Sequence, residues 1–232
     1  MPEHPPPPLD VPGDGLRAVL FDWDGTLVGS AEASYRCYER LFGEYGIAFG
    51  RDLFQSTYSP NWHRTYEALG LPPARWEEAD ARWLRHYSAE RTRLLPGARE
   101  VLHQLKSAGL AVALVTSGDR RRVGAELVRL DVHLLFDSVT CADDTARRKP
   151  DPEPLLHGLR RLGVSPPVAA YVGDSPEDVE MARGARVYAV GVPGGFPNRA
   201  ALVASAPDLL APDLPAAAAA LLGVAKEAPR LG

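Results

Sequence analysis

LRAVLFDWDGTL, residues 16–27, decides how the rest of the chain is read. It opens with the apolar and β-branched run of a strand buried on both faces and closes in an Asp-X-Asp-Gly turn. Side chains of an extended strand alternate sides, so Asp22 and Asp24 share one side beyond the strand end while Trp23 points to the other. An isolated Asp-Gly turn needs no function, because aspartate bonds readily to nearby backbone. The sequence that follows gives the pair its weight.

Four further strand-like runs occupy residues 110–117 (LAVALVTS), 134–141 (LLFDSVTC), 168–174 (VAAYVGD) and 187–192 (VYAVGV), with PDLLA near Asp208 suited to an edge strand. Helical patterns begin near Arg120, Asp151 and Ser175. This alternation predicts an α/β protein with a Rossmann-like parallel sheet wrapped by helices. In such sheets ligands bind beyond the carboxyl ends of the strands, which directs attention to the residues there.

Residues 30–94 break the rhythm. They offer no convincing strand but do carry helical segments at 32–46 and 75–94, together with 12 of the 18 aromatics and no lysine. A helical stretch of that length is too long for a loop and predicts an inserted all-helical cap, its aromatics packed as a core of their own. The expected division is a Pro-rich disordered tail at 1–15, a core at 16–29 and 95–222, a cap at 30–94 and a C-terminal tail at 223–232. Six of the 22 prolines fall in the first twelve residues, which removes backbone donors and favours extended conformations.

The other strand ends also carry chemistry. VTSG places Thr116 and Ser117 where hydroxyls and the next helix's N–H groups suit a phosphate oxygen, although helix-capping hydroxyls would look the same. RRKPDPEP supplies Lys149 ahead of a helix start. The chain uses arginine for 23 of its 26 cations, so a lysine directly after two arginines suggests a position that wants a compact ammonium. YVGDSPED puts Asp174 at a strand terminus. Ser175, Pro176 and Asp178 fit a helix start with a serine cap, leaving Asp178 equally suited to capping and to supporting the site. Asp22, Asp24 and Asp174 together make an oxygen-ligand set suited to a hard divalent cation, and the loop lacks the spaced ligands of a calcium hand.

DWDGTL, Thr116 in VTSG, Lys149 in RRKP and GDSPED, in that order, resemble the four motifs of the haloacid dehalogenase superfamily, specifically its phosphatases with a helical cap. The resemblance implies that Asp22 is the nucleophile, forming an aspartyl-phosphate, and that Asp24 protonates the leaving group and then activates water. It implies Mg²⁺ held by the Asp22 and Asp174 carboxylates and the Asp24 carbonyl. Thr116, Ser117 and Lys149 would bind phosphate, with Asp178 orienting Lys149 or a metal-bound water. Dehalogenases of the family lack the second aspartate, and its phosphonate hydrolases need a cap lysine that is missing here. The implied activity is a phosphatase acting on a small phosphorylated metabolite, most like the phosphoglycolate phosphatases. The alternatives are a phosphomutase and a non-catalytic binder of a phospholigand or protein. One departure is Ala185-Arg186, where the family usually has Ala-Gly.

Composition bounds the partners. With 26 basic and 30 acidic residues among 232, a net charge of −4 argues against nucleic acid, which demands a basic face. No apolar run approaches the length of a membrane span, and the N-terminal sequence lacks a signal-peptide pattern, so a cytoplasmic protein without membrane contact is expected. Cys37 and Cys141 form no CxxC pair and are read as core residues. Trp62, His63, Arg64 and His86 are cleft candidates to which the sequence assigns no role. It also specifies no oligomeric state.

Overall fold

The computed structural model describes residues 15–227. The expected N-terminal tail, apart from Gly15, and residues 228–232 lie outside the described residues. Along the chain run β1 (Ala18–Phe21), α1 (Ala31–Glu44), α2 (Arg51–Thr57), α3 (Trp62–Ala68), α4 (Trp76–Tyr87), α5 (Ala98–Ser107), β2 (Ala111–Val115), α6 (Arg120–Arg129) and β3 (Ser138–Thr140). They are followed by α7 (Glu153–Leu162), β4 (Ala169–Gly173), α8 (Pro176–Gly184), β5 (Tyr188–Gly191), α9 (Arg199–Ala204), β6 (Leu209–Leu210) and α10 (Leu214–Glu227).

Among the described residues the six strands of the sheet pair in parallel throughout, in the order β3-β2-β1-β4-β5-β6. The chain therefore winds outward from β1 in both directions, and β1 beside β4 is the point where the winding reverses. Helices on each side must diverge there, leaving a crevice at the strands' carboxyl ends. Alternation within strands builds two cores. Val19 and Phe21 of β1 pack with Val112 and Leu114 toward α5 and α10, whereas Ala18 and Leu20 pack with Ala113 and Val115 toward α7 and α8. Burial on both faces explains why these strands read as continuous apolar runs.

Helices α1 to α4 gather around their own cluster of Tyr38, Phe42, Phe49, Phe54 and Tyr66, as their aromatic content predicts. The single helix read over 75–94 is shorter. It ends at Tyr87, and the remaining residues run back to the sheet domain beside the outgoing chain, where Val28 bridges Leu94 and Gly29 N donates to Arg93 O at 3.0 Å. Backbone pairing between the two crossings replaced the last turns of the helix. A second correction concerns the C-terminal tail read from 223: α10 continues to Glu227. Where the sequence has Arg186 instead of glycine, the chain after α8 still takes the left-handed turn, at φ 58°. Among the described residues no helix is long and apolar enough to cross a membrane.

Candidate active site

The strand ends at the reversal point carry the site. Asp22 follows β1 directly, tied by its N–H to Val172 O at 2.9 Å, and Asp174 follows β4. Trp23 turns the other way and is fully buried, donating from Nε1 to Glu126 at 3.0 Å. Gly25 makes the turn possible for two reasons. Its φ of +88° suits glycine, and a Cβ there would lie 2.2 Å from Asp174 Oδ2.

Lys149 Nζ links two carboxylates, 2.6 Å from Asp22 Oδ1 and 2.7 Å from Asp178 Oδ1. Asp178 serves both of the uses left open for it. Its Oδ2 accepts from Asp174 N, Ser175 N and Ser175 Oγ, completing the capping box of α8, while Oδ1 holds Lys149. Thr116, at the end of β2, is buried and accepts from Gly118 N at 3.0 Å; Ser117 lines the same cavity. Asp24 also lines it, gripped by Arg122. All seven residues expected from the motifs thus converge on one cavity of about 270 Å³.

Burial and the crowding of carboxylates dominate the electrostatics. Burial pushes the Asp22 carboxyl up to about 7 despite Lys149, with Asp178 and Asp24 adding repulsion. Asp174 is raised well above the usual carboxylate range by burial and by Asp22 and Asp178. Burial opposes the charge on Lys149, but Asp178 and Asp22 hold it above the ordinary lysine range. Ligand atoms of Asp22, Asp174 and Asp178 lie within 4.8 Å of one another, yet the oxygens of Asp178 are already engaged. Asp174 Oδ2 is different: it is buried and has no hydrogen-bond partner among the described residues. A buried, unpaired carboxylate oxygen beside a second carboxylate fits a hard divalent ion.

Several residues that shape the cavity escaped the sequence. Arg122 is one of three consecutive arginines opening α6. Only the helix register separates it from Arg120, which turns to Asp144, and from exposed Arg121. Phe196, beyond β5, stacks on Tyr58 of the helical region at 4.3 Å and closes one wall. Arg148 lies beside Lys149 in a run of three cations, and nothing in the local sequence sets it apart from Arg147. Of the cleft candidates, Trp62 lines the cavity, whereas His63 pairs with Asp80, His86 with Glu44, and Arg64 lies 3.9 Å from Glu177.

A doubly wound parallel sheet presenting paired aspartates, a lysine and a third aspartate at its reversal point defines a hydrolase of the haloacid dehalogenase type. The chain matches the haloacid dehalogenase-like hydrolase family over residues 19–192 and belongs to it. The phosphoglycolate phosphatase of Pseudomonas putida is 31% identical over 214 residues, spanning 88% of this chain and 79% of that protein. That of Salmonella paratyphi A is 32% identical over 223 residues, spanning 84% and 88%. CbbY from Rhodobacter sphaeroides, solved in complex with phosphate, shares the fold with a TM-score of 0.73 at 24% identity, over 86% of this chain and 95% of that one. Within its family the chain is a phosphatase, a hydrolase acting on phosphoric monoesters.

Proposed function

We propose that the protein is a Mg²⁺-dependent phosphatase that hydrolyses a small phosphate monoester, phosphoglycolate- or sugar-phosphate-like, through an aspartyl-phosphate. The observation that carries this reading is the approach of Lys149 Nζ to Asp22 Oδ1 at 2.6 Å, with Asp24 and Asp174 facing the same cavity. A carboxylate nucleophile and a phosphate are both anions, and they meet only where positive charge offsets their repulsion. Asp22 and Asp174, through their carboxylates, and Asp24, through its carbonyl, would hold Mg²⁺, which supplies that charge opposite the lysine.

An Asp22 oxygen attacks phosphorus as the bond to the leaving oxygen breaks, and Asp24 gives that oxygen its proton. Asp24 then takes a proton from water, which attacks the phosphorus of the aspartyl-phosphate and frees Asp22 and inorganic phosphate. Lys149, Thr116 and Ser117 hold the non-reacting phosphate oxygens, and Asp178 fixes Lys149. The cavity's volume of about 270 Å³ suits a metabolite rather than a polymer. Two buried free cysteines suit a reducing compartment such as the cytoplasm.

The test is Asp22→Asn in a panel of phosphorylated metabolites. Turnover is expected to fall by roughly 10³-fold or more with the fold intact by circular dichroism. Acid-quenched native enzyme should carry substrate-derived phosphate that the variant lacks. Robust activity of the pure variant overturns the nucleophile assignment. Release of phosphate in step with substrate loss, without isomerised product, distinguishes hydrolysis from mutase action.

A further inference from the structure

Three cationic side chains line the cavity, and two are already committed. Lys149 lies between Asp22 and Asp178, and Arg122 is shared by Asp24 and Glu126. Arg148 differs. Among the described residues its guanidinium has no carboxylate partner, and its Nη1 is buried with no hydrogen-bond partner at all. It is nevertheless held in place. The guanidinium carbon sits over the Trp62 ring, 4.3 Å from the centroid, and Trp62 is fixed in turn by donation from Nε1 to Asp80 at 2.7 Å. Stacking on an aromatic face positions an arginine while leaving its in-plane N–H groups free to grip an anion at two points. A buried donor left unpaired is unfavourable, so this arrangement gains from a ligand that supplies acceptors.

We propose that Arg148 is a specificity residue that binds a second anionic group, a carboxylate or phosphate, on the same small molecule that presents its scissile phosphate to Asp22. The proposal rests on the phosphatase reading above and narrows its substrate class to compact monoesters with a second anion. Neighbouring residues divide the work. Lys149 faces the reacting carboxylate, while Arg148 faces the Trp62 wall of the same cavity. The volume of about 270 Å³ keeps the two anions on a short spacer. No bond is made or broken at Arg148. It discriminates by charge and geometry, since a neutral substrate tail would leave its donors unpaired.

The test compares native enzyme with Arg148→Gln and Arg148→Lys on three probes: ethyl phosphate with no second anion, 2-phosphoglycolate with a carboxylate, and propane-1,3-diol bisphosphate with a second phosphate. Native kcat/KM should favour at least one doubly anionic probe over ethyl phosphate by roughly 10- to 100-fold. Arg148→Gln should erase that preference, chiefly through KM, while ethyl phosphate changes less than about threefold and Arg148→Lys recovers part of the loss. Equal losses on all three probes, or a preference that survives Arg148→Gln, overturns the proposal. If native enzyme hydrolyses none of them, the phosphatase reading is what fails. Calorimetric titration then decides Arg148: phosphonoacetate must bind more tightly than ethylphosphonate, and the difference must vanish in Arg148→Gln. Equal affinities in native protein overturn it.

Discussion

Arg122 closes a two-point fork on Asp24, with Nη1 3.1 Å from Oδ1 and Nη2 2.5 Å from Oδ2. The same guanidinium donates to Glu126 at 3.0 Å and lies 4.8 Å from the centroid of the Tyr87 ring. Glu126, buried, also accepts from Trp23 and Thr92. In the proposed mechanism Asp24 passes a proton to the leaving oxygen and later takes one from water, which depends on its orientation, and this network sets that orientation. Arg122→Met should lower kcat about 10- to 100-fold on an alkyl phosphate, with KM little changed. The loss should be smaller on p-nitrophenyl phosphate, whose leaving group needs little protonation. Steady-state kinetics on the two substrates checks this, and equal losses would show that Arg122 acts on folding rather than on Asp24.

Asp174 and Asp178 lie four residues apart and should respond oppositely to the same change. Asp174 is buried among like charges with an unpaired oxygen, so Asp174→Asn should raise the melting temperature of metal-free protein and abolish the further rise produced by millimolar MgCl₂. Asp178 gathers Lys149 and three donors, so Asp178→Asn should destabilise by about 3 kcal/mol. Thermal unfolding with and without Mg²⁺ separates the two.

Glycines make a third contrast. A Cβ at Gly194 would stand 2.4 Å from both Asp174 Oδ2 and Gly25 O, so Gly194→Ala must displace the site and should cost about 1–3 kcal/mol and most of the activity. Gly124, inside α6, has nothing within 4 Å, and Gly124→Ala should stabilise by about 0.5–1 kcal/mol. Denaturant unfolding of both variants reads the opposite signs.

Burial pushes the Cys37 thiol up to about 12 and Cys141 up to about 11. A thiol with a raised value stays protonated below it, so at pH 8 only about 1 in 10⁴ and 1 in 10³ of these groups are reactive thiolate. Iodoacetamide at pH 8 should therefore leave native protein unmodified and label both cysteines in guanidinium, as intact-mass measurement would show.

Strands β1, β2, β4 and β5 were legible because both of their faces are buried and such strands are written as unbroken apolar runs, whereas of the run read over 134–141 only Ser138–Thr140 is strand, since Leu134 lies in a 3₁₀ turn and is 82% exposed. The helix boundary at Tyr87 was not legible. Periodicity records which face of a segment is apolar, whereas the segment ends where Val28 and Leu94 find each other, a pairing between residues distant in sequence. The same divide runs through the site. Asp22, Asp24 and Asp174 drew attention as acids at the ends of apolar strands, whereas Thr116 and Lys149 were singled out mainly by the order of the four motifs. Arg122 and Arg148 had neither signal, since each stands in a run of cations whose members differ only in direction.

By itself the sequence determined the parallel α/β framework, the helical insertion and the acidic cluster with its lysine, because alternation, turn chemistry and strand-end position are local properties of a chain. Only the tertiary structure decided which charges pair. It joined Arg122 to Asp24 and Lys149 to Asp22, beside the Asp178 partner that the motif resemblance already implied for Lys149, and among the described residues it left Arg148 over Trp62 without an acidic partner. Electrostatic partnership depends on distance and burial, and both are fixed only when strands far apart in the chain are brought edge to edge.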